Sequence, residues 1–503
     1  MVSHTNTLSF IGVNTEPVDV QVHIGSGLPA FSIVGLANKA VAESKERIRS
    51  AFISIGLSLP TKRITVNLAP ANLNKEGSHF DLPIALGLLG EMEIIPQEEL
   101  MEYLILGELA LDASIAGVKG VLPAAISANA VEKGIICPQQ NYTEASWSGN
   151  QNILSAKNML EIINHFTGKQ LISNAEAATK VIEITYPDLI DVKGQEIAKR
   201  ALEVAAAGKH NMLMVGPPGS GKSMLAKRLP GIMPEMSKKE ILDASIIASI
   251  AGELKDDGLI KNRPFRDPHC SSSVPAIVGG GKTANPGEIT LAHLGVLFLD
   301  ELPEFQKNVL EALRQPLENG NITIARANHH ITYPAKFQLI AAMNPCKCGY
   351  FETARISCHK VPKCAQDYQS KISGPLYDRF DIQVDVPEVN AFQINNAKQE
   401  ENSETIAIRV KKARELQLKR YKNLNITTNS ELEGELLNDM IMLDYKSEKI
   451  LKEATDKFKL SMRAFYKVLK VARSIADLEE NDNVTHMHIS EALSYRMHKF
   501  SFY

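Results

Sequence analysis

The stretch HNMLMVGPPGSGKSMLAKRL, His210 to Leu229, restricts what this chain can fold into more than any other. Met212 to Val215 is an apolar run of strand length, and a glycine-rich turn follows. Lys222 and Ser223 then open an amphipathic helix through Leu225, Ala226 and Leu229. Strand, turn and helix in that order make a P-loop. A polyphosphate needs several N–H donors aimed at one point, and residues without side chains let the backbone curl close enough to supply them. Gly216, Pro217, Pro218, Gly219, Ser220 and Gly221 form that turn. The helix N-terminus adds a partial positive charge, Lys222 would neutralise β- and γ-phosphate oxygens, and the Ser223 hydroxyl would coordinate Mg²⁺. The chain is therefore expected to bind ATP with Mg²⁺ on an α/β core.

GVLFLDE, Gly295 to Glu301, supplies the other half of such a site. An apolar run at 296–299 suits a parallel strand buried on both faces, with Asp300 and Glu301 emerging at its carboxyl end beside the P-loop. Asp300 would hold Mg²⁺ and Glu301 would polarise the attacking water. Phosphoryl transfer is mostly positioning and charge stabilisation, so one carboxylate for each task suffices.

With 503 residues there is room for two to four domains, and 44% hydrophobic against 22% charged residues is ordinary for a globular protein. A net charge of −3 excludes electrostatic nucleic-acid binding by the whole molecule; it leaves a local basic surface or several subunits acting together. LPIALGLLGEMEII is broken by Glu91 and Glu93, and MVSHTNTLSF lacks a signal peptide's basic end and long apolar stretch, so no membrane partner is expected and a cytoplasmic protein is.

Ahead of the P-loop, ITVNLAP, Ile64 to Pro70, alternates as a half-buried strand, and KAVAESKERIRSAFISIG has helical spacing through Val41, Ile48, Ala51 and Phe52. An apolar helix is expected around Leu82 to Leu89, a strand at Tyr103 to Gly107 and a helix around Leu122 to Val131. GLPAFSIVGLANKAVAESKERIRSA, RITVNLAPANLNKEGSHFDLPIALGLL and GELALDASIAGVKGVLPAA resemble the amino-terminal domain of the Mg-chelatase-like ComM/YifB family of AAA+ proteins, itself similar to the Lon protease domain. In Lon-type sites a serine stands two residues after the glycine of a lysine-acid-glycine turn, with a lysine base on a following helix. KEGSHF places His79 there, Ser78 is one position off, and Leu122 falls near the lysine. A serine without a base is a poor nucleophile, so this region is expected to be a platform and not a peptidase.

The resemblance runs over nearly the whole chain and implies an architecture. It consists of a Lon-like α/β domain over 1–168, a linker at 169–186, an AAA+ core with parallel sheet at 187–388 and a helical lid at 389–503. Core helix positions Ile197, Ala201, Leu202 and Ala205 follow Gly194 and Gln195, which resemble the segment over adenine. RPFRDPHCSSSVPAIVGGGKTANPGEITLAHLG would form a helix-2 insertion facing a ring's pore, although the family usually has histidine where Cys270 stands. GNITIARANHHITYPAKF reads as a β-hairpin, by resemblance the pre-sensor-1 hairpin. Its tip, Arg326, Asn328, His329 and His330, suits either a DNA backbone or plain solvation. Asn344, ending FQLIAAMNP, matches sensor 1. Arg379 in SGPLYDRFD matches the arginine finger that reaches a neighbouring subunit's γ-phosphate, the alternative being a surface arginine paired with Asp378 or Asp381. Arg463 in LSMRA matches sensor 2. Phe465, Val468, Leu469, Ala472 and Ile475 form a core stripe, while Lys411, Lys412, Arg414, Lys419 and Arg420 are expected on a solvated face, with a last helix near His488 to Met497.

The family's known activity implies a hexameric ATPase acting on single-stranded or branched DNA through its pore, as a helicase or branch-migration motor in homologous recombination of transforming DNA. The similar chelatase motors remodel protein partners or drive metal insertion. Cys346, Cys348, Cys358 and Cys364 lie close together in the chain, and four thiolates suit tetrahedral Zn²⁺. CKCG resembles a zinc knuckle, but the spacing departs from common fingers and from the family's pattern. Both Zn²⁺, with His359 able to replace one sulfur, and unliganded thiols fit the pattern.

Overall fold

In a computed structural model the residues described are 2–173, 186–254, 258–281, 284–326, 329–349, 358, 362–389 and 401–496. Five parallel strands lie in the order Phe265–Arg266, Val296–Leu299, Gln338–Met343, Met212–Val215 and Ile382–Asp385. The register sets Val215 opposite both Met343 and Asp385, and Leu299 opposite Ala341. The residues that follow these strands therefore emerge at one edge.

Both faces of this sheet are covered, which is why its strands read as continuous apolar runs. Met212, Met214, Phe298 and Ile340 point into a core shared with the Glu196–Gly208 helix and the carboxyl-terminal helices. Leu213, Val215, Leu297 and Leu339 point into a second core with Phe305, Val309 and the hairpin residues Ile322, Ile324, Ile331 and Tyr333. The hairpin pairs Asn321–Arg326 with His329–Pro334.

The first 156 residues build a seven-stranded mixed sheet, in the order Ala30–Val34, Arg63–Ala69, Asn14–Gly25, Val2–Ile11, Tyr103–Ile105, Gly134–Pro138 and Ile153–Ala156. The expected single helix before Arg63 is two, Lys39–Ala42 and Ser44–Ser54, and Val41, Ile48, Ala51 and Phe52 are buried as their spacing requires. Several contacts tie this region to the core. The Gly120 N–H donates to Ser249 O at 3.1 Å, and Lys119 Nζ to Ala251 O at 2.9 Å. The Val2–Ile11/Asn14–Gly25 turn rests on the hairpin, where a Cβ on Gly12 would stand 2.9 Å from Ile331 Cγ2.

Of the carboxyl-terminal helices, Ser403–Arg420 and Met462–Leu478 pack over the Glu196–Gly208 helix; His486–Ser494 packs on Met462–Leu478, and Tyr445–Phe458 on His486–Ser494. No helix among the described residues is long and apolar enough to cross a membrane.

Three expectations need correction. Phe265–Arg266 is the edge strand of the sheet, not part of an insertion; two residues are too few to show a strand period. Ile197 is 69% exposed: it stands in the first turn of the Glu196–Gly208 helix, whose buried positions begin at Ala198. Arg414 and Arg420 do not belong to a solvated face: Arg414 donates to Ala206 O at 3.0 Å and Arg420 pairs with the buried Asp477 at 2.6 Å. Met497 lies outside the described residues.

Candidate active site

The P-loop turn is held at both ends by steric demand. A Cβ on Gly216 would stand 2.1 Å from Val386 O, so only glycine lets the turn leave its strand against the neighbouring one. Gly219 and Gly221 adopt φ of 76° and 93°, a region open to glycine at little cost, and Gly221 directly precedes the Lys222–Arg228 helix.

Lys222 Nζ donates to Gly216 O and Pro217 O, both at 2.8 Å, and to Asn344 Oδ1 at 3.3 Å. Burial lowers the Lys222 pKa, and the charges of Asp300 and Glu301 oppose that shift. Ser223 Oγ donates to Asp300 Oδ2 at 2.6 Å. Asp300 and Glu301 leave the end of the Val296–Leu299 strand, and the Glu301 N–H returns to Asp300 Oδ1 at 2.9 Å. Glu301 is exposed and left-handed, with φ 52° and ψ 46°, which costs a non-glycine residue on the order of 1 kcal/mol or more. Tertiary structure thus brings Lys222, Ser223, Asp300, Glu301 and Asn344 together from three strands. Gln195, also left-handed, donates from Nε2 to Ser220 O at 3.1 Å and so lies against the turn.

Arg379 and Arg463 are elsewhere. Among the described residues no hydrogen bond or ion pair joins either to Lys222, Ser223, Asp300 or Glu301. Arg379 pairs with Glu318, not with Asp378 or Asp381. Burial lowers its pKa, and the nearby positive charges of Arg463 and Arg314 add to the effect. Asp381 belongs instead to Lys467, 3.3 Å away on the Met462–Leu478 helix.

Two side chains at the site were not legible in the sequence. Asp267 follows the edge strand; burial raises its pKa, and Asp300 raises it further against the pull of Lys227. Tyr368 lies near the carboxylates of the site: its pKa is raised by burial and by the charges of Glu304, Glu301 and Asp300. The only sequence signal for Asp267 is its place ahead of a proline in RPFRDP, and Tyr368 has none.

The four cysteine sulfurs lie within 4.8 Å of one another. Tetrahedral Zn²⁺ with Zn–S bonds of about 2.3 Å needs sulfurs about 3.8 Å apart, so the set fits after small adjustments. Cys346 is buried, and burial pushes its thiol up to about 12, so binding a cation there must release protons. His359 and Asn328 lie outside the described residues; His330 is exposed, and Arg326 pairs with His329 at the end of the hairpin ladder.

In the amino-terminal region the Ser78 hydroxyl donates to Glu108. His79 Nε2 bonds to Leu8 O at 2.9 Å, burial pushes the ring down to about 4, and Leu122 is fully buried. Among the described residues, Ser78 therefore has no lysine or histidine base as a hydrogen-bond partner.

Comparison with known proteins divides the chain in three. Residues 188–394 match the magnesium chelatase subunit ChlI family, residues 20–141 the ChlI subunit family of Mg-chelatase, and residues 400–496 the carboxyl-terminal ChlI family. The competence protein ComM of Haemophilus influenzae is 42% identical over 97% of this chain and 96% of its own length. The uncharacterized protein YifB of Salmonella typhimurium is 41% identical over 98% and 96%. The magnesium-chelatase 38 kDa subunit of Rhodobacter capsulatus is 28% identical over only 31% of this chain.

Proposed function

Because the chain belongs to the Mg-chelatase ChlI-like family of AAA+ ATPases, with competence protein ComM and YifB among its full-length relatives, we propose that it is a ring motor. Identical subunits, six in number, couple Mg·ATP hydrolysis to movement of DNA through the pore, as a helicase or branch-migration enzyme in recombination of incoming DNA. The observation that carries this reading is the division of the machinery. Lys222, Ser223, Asp300 and Asn344 converge in one chain, while Arg379 and Arg463 lie apart from them.

The chemistry follows from that division. Lys222 is held by neutral acceptors, and charged phosphate oxygens form stronger hydrogen bonds to an ammonium, so triphosphate displaces them. Ser223 and Asp300, 2.6 Å apart, would hold Mg²⁺, which would supply positive charge against the phosphates. Glu301 orients the lytic water, and Asn344 contacts the γ-phosphate. Arg379 of a neighbouring subunit, with Arg463, supplies the positive charge that stabilises the transition state. An isolated subunit then turns over slowly.

The division into a Lon-like platform over 1–168, linker, core and lid, and the cytoplasmic location, are parts of the same reading; the family matches over 20–141 and 400–496 lie within the proposed platform and lid, and the match over 188–394 extends a few residues past the proposed core. For DNA as cargo, support comes from the likeness to a competence protein over the whole chain and from exposed His330 near the hairpin tip. A chelatase-type motor acting on a protein partner is the second reading, and the similarity of the core to a magnesium-chelatase subunit favours it. ATPase measured with and without single-stranded or forked DNA separates the two. Stimulation is expected, and turnover indifferent to every DNA tested would overturn the DNA reading.

A further inference from the structure

The four cysteines stand against the phosphate-binding turn. Gly349 follows Cys348 at φ 85°, and its N–H donates to Cys346 O at 2.9 Å, closing the CKCG turn. A Cβ on Gly349 would stand 2.6 Å from Pro218 Cδ and 2.7 Å from its Cγ. The backbone of the cysteine turn thus lies directly on the third residue of the P-loop. Cys346 is two residues beyond Asn344, whose side chain accepts from Lys222.

Cys364 lies on the Lys363–Gln369 helix, which grips the same segment at a further point. Gln369 Nε2 donates to Pro345 O at 2.9 Å. Cys346 and Ala365 are both fully buried and pack together, with Cys358 and Cys364 against them. Asn344 and Pro218 are therefore flanked by two chain segments whose sulfurs converge.

We propose that one Zn²⁺ bound by Cys346, Cys348, Cys358 and Cys364 is a strut of the nucleotide site. By tying the CKCG turn to the Lys363–Gln369 helix it sets Pro218 and Asn344 in place, so that zinc and nucleotide binding are linked. Linkage is reciprocal: zinc tightens nucleotide by the factor by which nucleotide tightens zinc. Each binding event releases or consumes no electrons, and the thiols that become thiolates give their protons to solvent. The inference rests on the nucleotide reading of the P-loop and is independent of DNA.

The test uses the full-length protein, zinc content by atomic emission, and a fluorescent ADP analogue titrated without turnover. Wild type is expected to carry one zinc per chain. Cys364→Ser is expected to lose the metal and to weaken nucleotide by about tenfold or more, the usual range of coupling energies. Gly349→Ala is the complementary variant, because its methyl group displaces Pro218 while leaving all four sulfurs. It should keep zinc and still lose nucleotide affinity. If Cys364→Ser does not fold, graded chelation of wild type gives the same measurement, and nucleotide should slow zinc release to a chelating dye.

A wild-type chain that folds and binds nucleotide without zinc would overturn the proposal. So would a zinc-free Cys364→Ser, or chelated wild type, with unchanged nucleotide affinity, or a Gly349→Ala indistinguishable from wild type. Failure of wild-type, zinc-loaded protein to bind nucleotide at all would instead refute the P-loop reading.

Discussion

Asp381→Asn isolates what pins the SGPLYDRFD turn to the lid. Asp381 is buried and faces Lys467 Nζ at 3.3 Å, His210 Nδ1 at 3.4 Å and the Asn211 N–H at 3.3 Å. Lys467 also donates to Phe380 O at 3.1 Å, and Arg496 to Phe380 O and Asp381 O at 3.1 and 3.3 Å. Burial alone would raise the carboxyl, yet Lys467, His210 and Lys470 hold it well below the usual carboxylate range. A depressed carboxylate stabilises the fold above its unfolded pKa, near 4, and that contribution fades only as pH falls below it. At neutral pH the asparagine keeps the volume but leaves Lys467 buried without its anion. Breaking one side of such a pair costs about 3–5 kcal/mol. Asp381→Asn with Lys467→Met removes both charges and should recover most of that loss, to within about 1–2 kcal/mol of wild type.

Urea unfolding followed by circular dichroism reads the core-and-lid transition, compared by midpoint because a chain of several domains is not two-state. Arg379 is two residues from Asp381, and its carbonyl accepts from Asn211 Nδ2 at 3.2 Å, so the substitution should also loosen Arg379, the proposed finger. ATPase of the assembled protein should fall by about tenfold or more, roughly 1.4 kcal/mol, while nucleotide affinity holds. A single variant as stable as wild type, or a double variant as damaged as the sum of both singles, would refute the buried-pair account.

Glu301→Gln should bind ATP and keep the ring together while hydrolysing at least about a hundredfold more slowly, and normal turnover would remove Glu301 from its role. Arg379→Ala mixed with Lys222→Ala should regain activity that neither variant has alone, since each supplies the other's intact half-site; dead mixtures at every ratio would argue against action between subunits. His79 is buried neutral with its pKa pushed down to about 4. The unfolded chain takes up a proton near pH 6.5 that the folded chain refuses until about 4, so stability should fall by up to roughly 3 kcal/mol as pH drops across that window. His79→Gln should flatten this slope in urea midpoints taken from pH 7 to 4, and an unchanged slope would place the titration elsewhere.

What the linear order of residues determined is the chemistry that one local element can supply. A P-loop is strand, turn and helix in succession, and the donors at Gly216–Gly221, the cation at Lys222 and the hydroxyl at Ser223 follow one another along the chain. Asp300, Glu301 and Asn344 were legible too, because a buried strand ending in a polar residue is also a local pattern. Tertiary structure decided which of these meet. Parallel register aligns the strand ends, and that pairing joins residues far apart in the chain, Leu299 with Ala341 and Val215 with Met343. It also set the charge partners: Arg414 and Arg420 turned inward, Asp381 went to Lys467, and Arg379 went to Glu318. Long flexible side chains find partners in space, and sequence spacing does not encode that distance. Contact between the CKCG turn and Pro218 is of the same kind, since two segments that share no pattern become neighbours only when the sheet is formed.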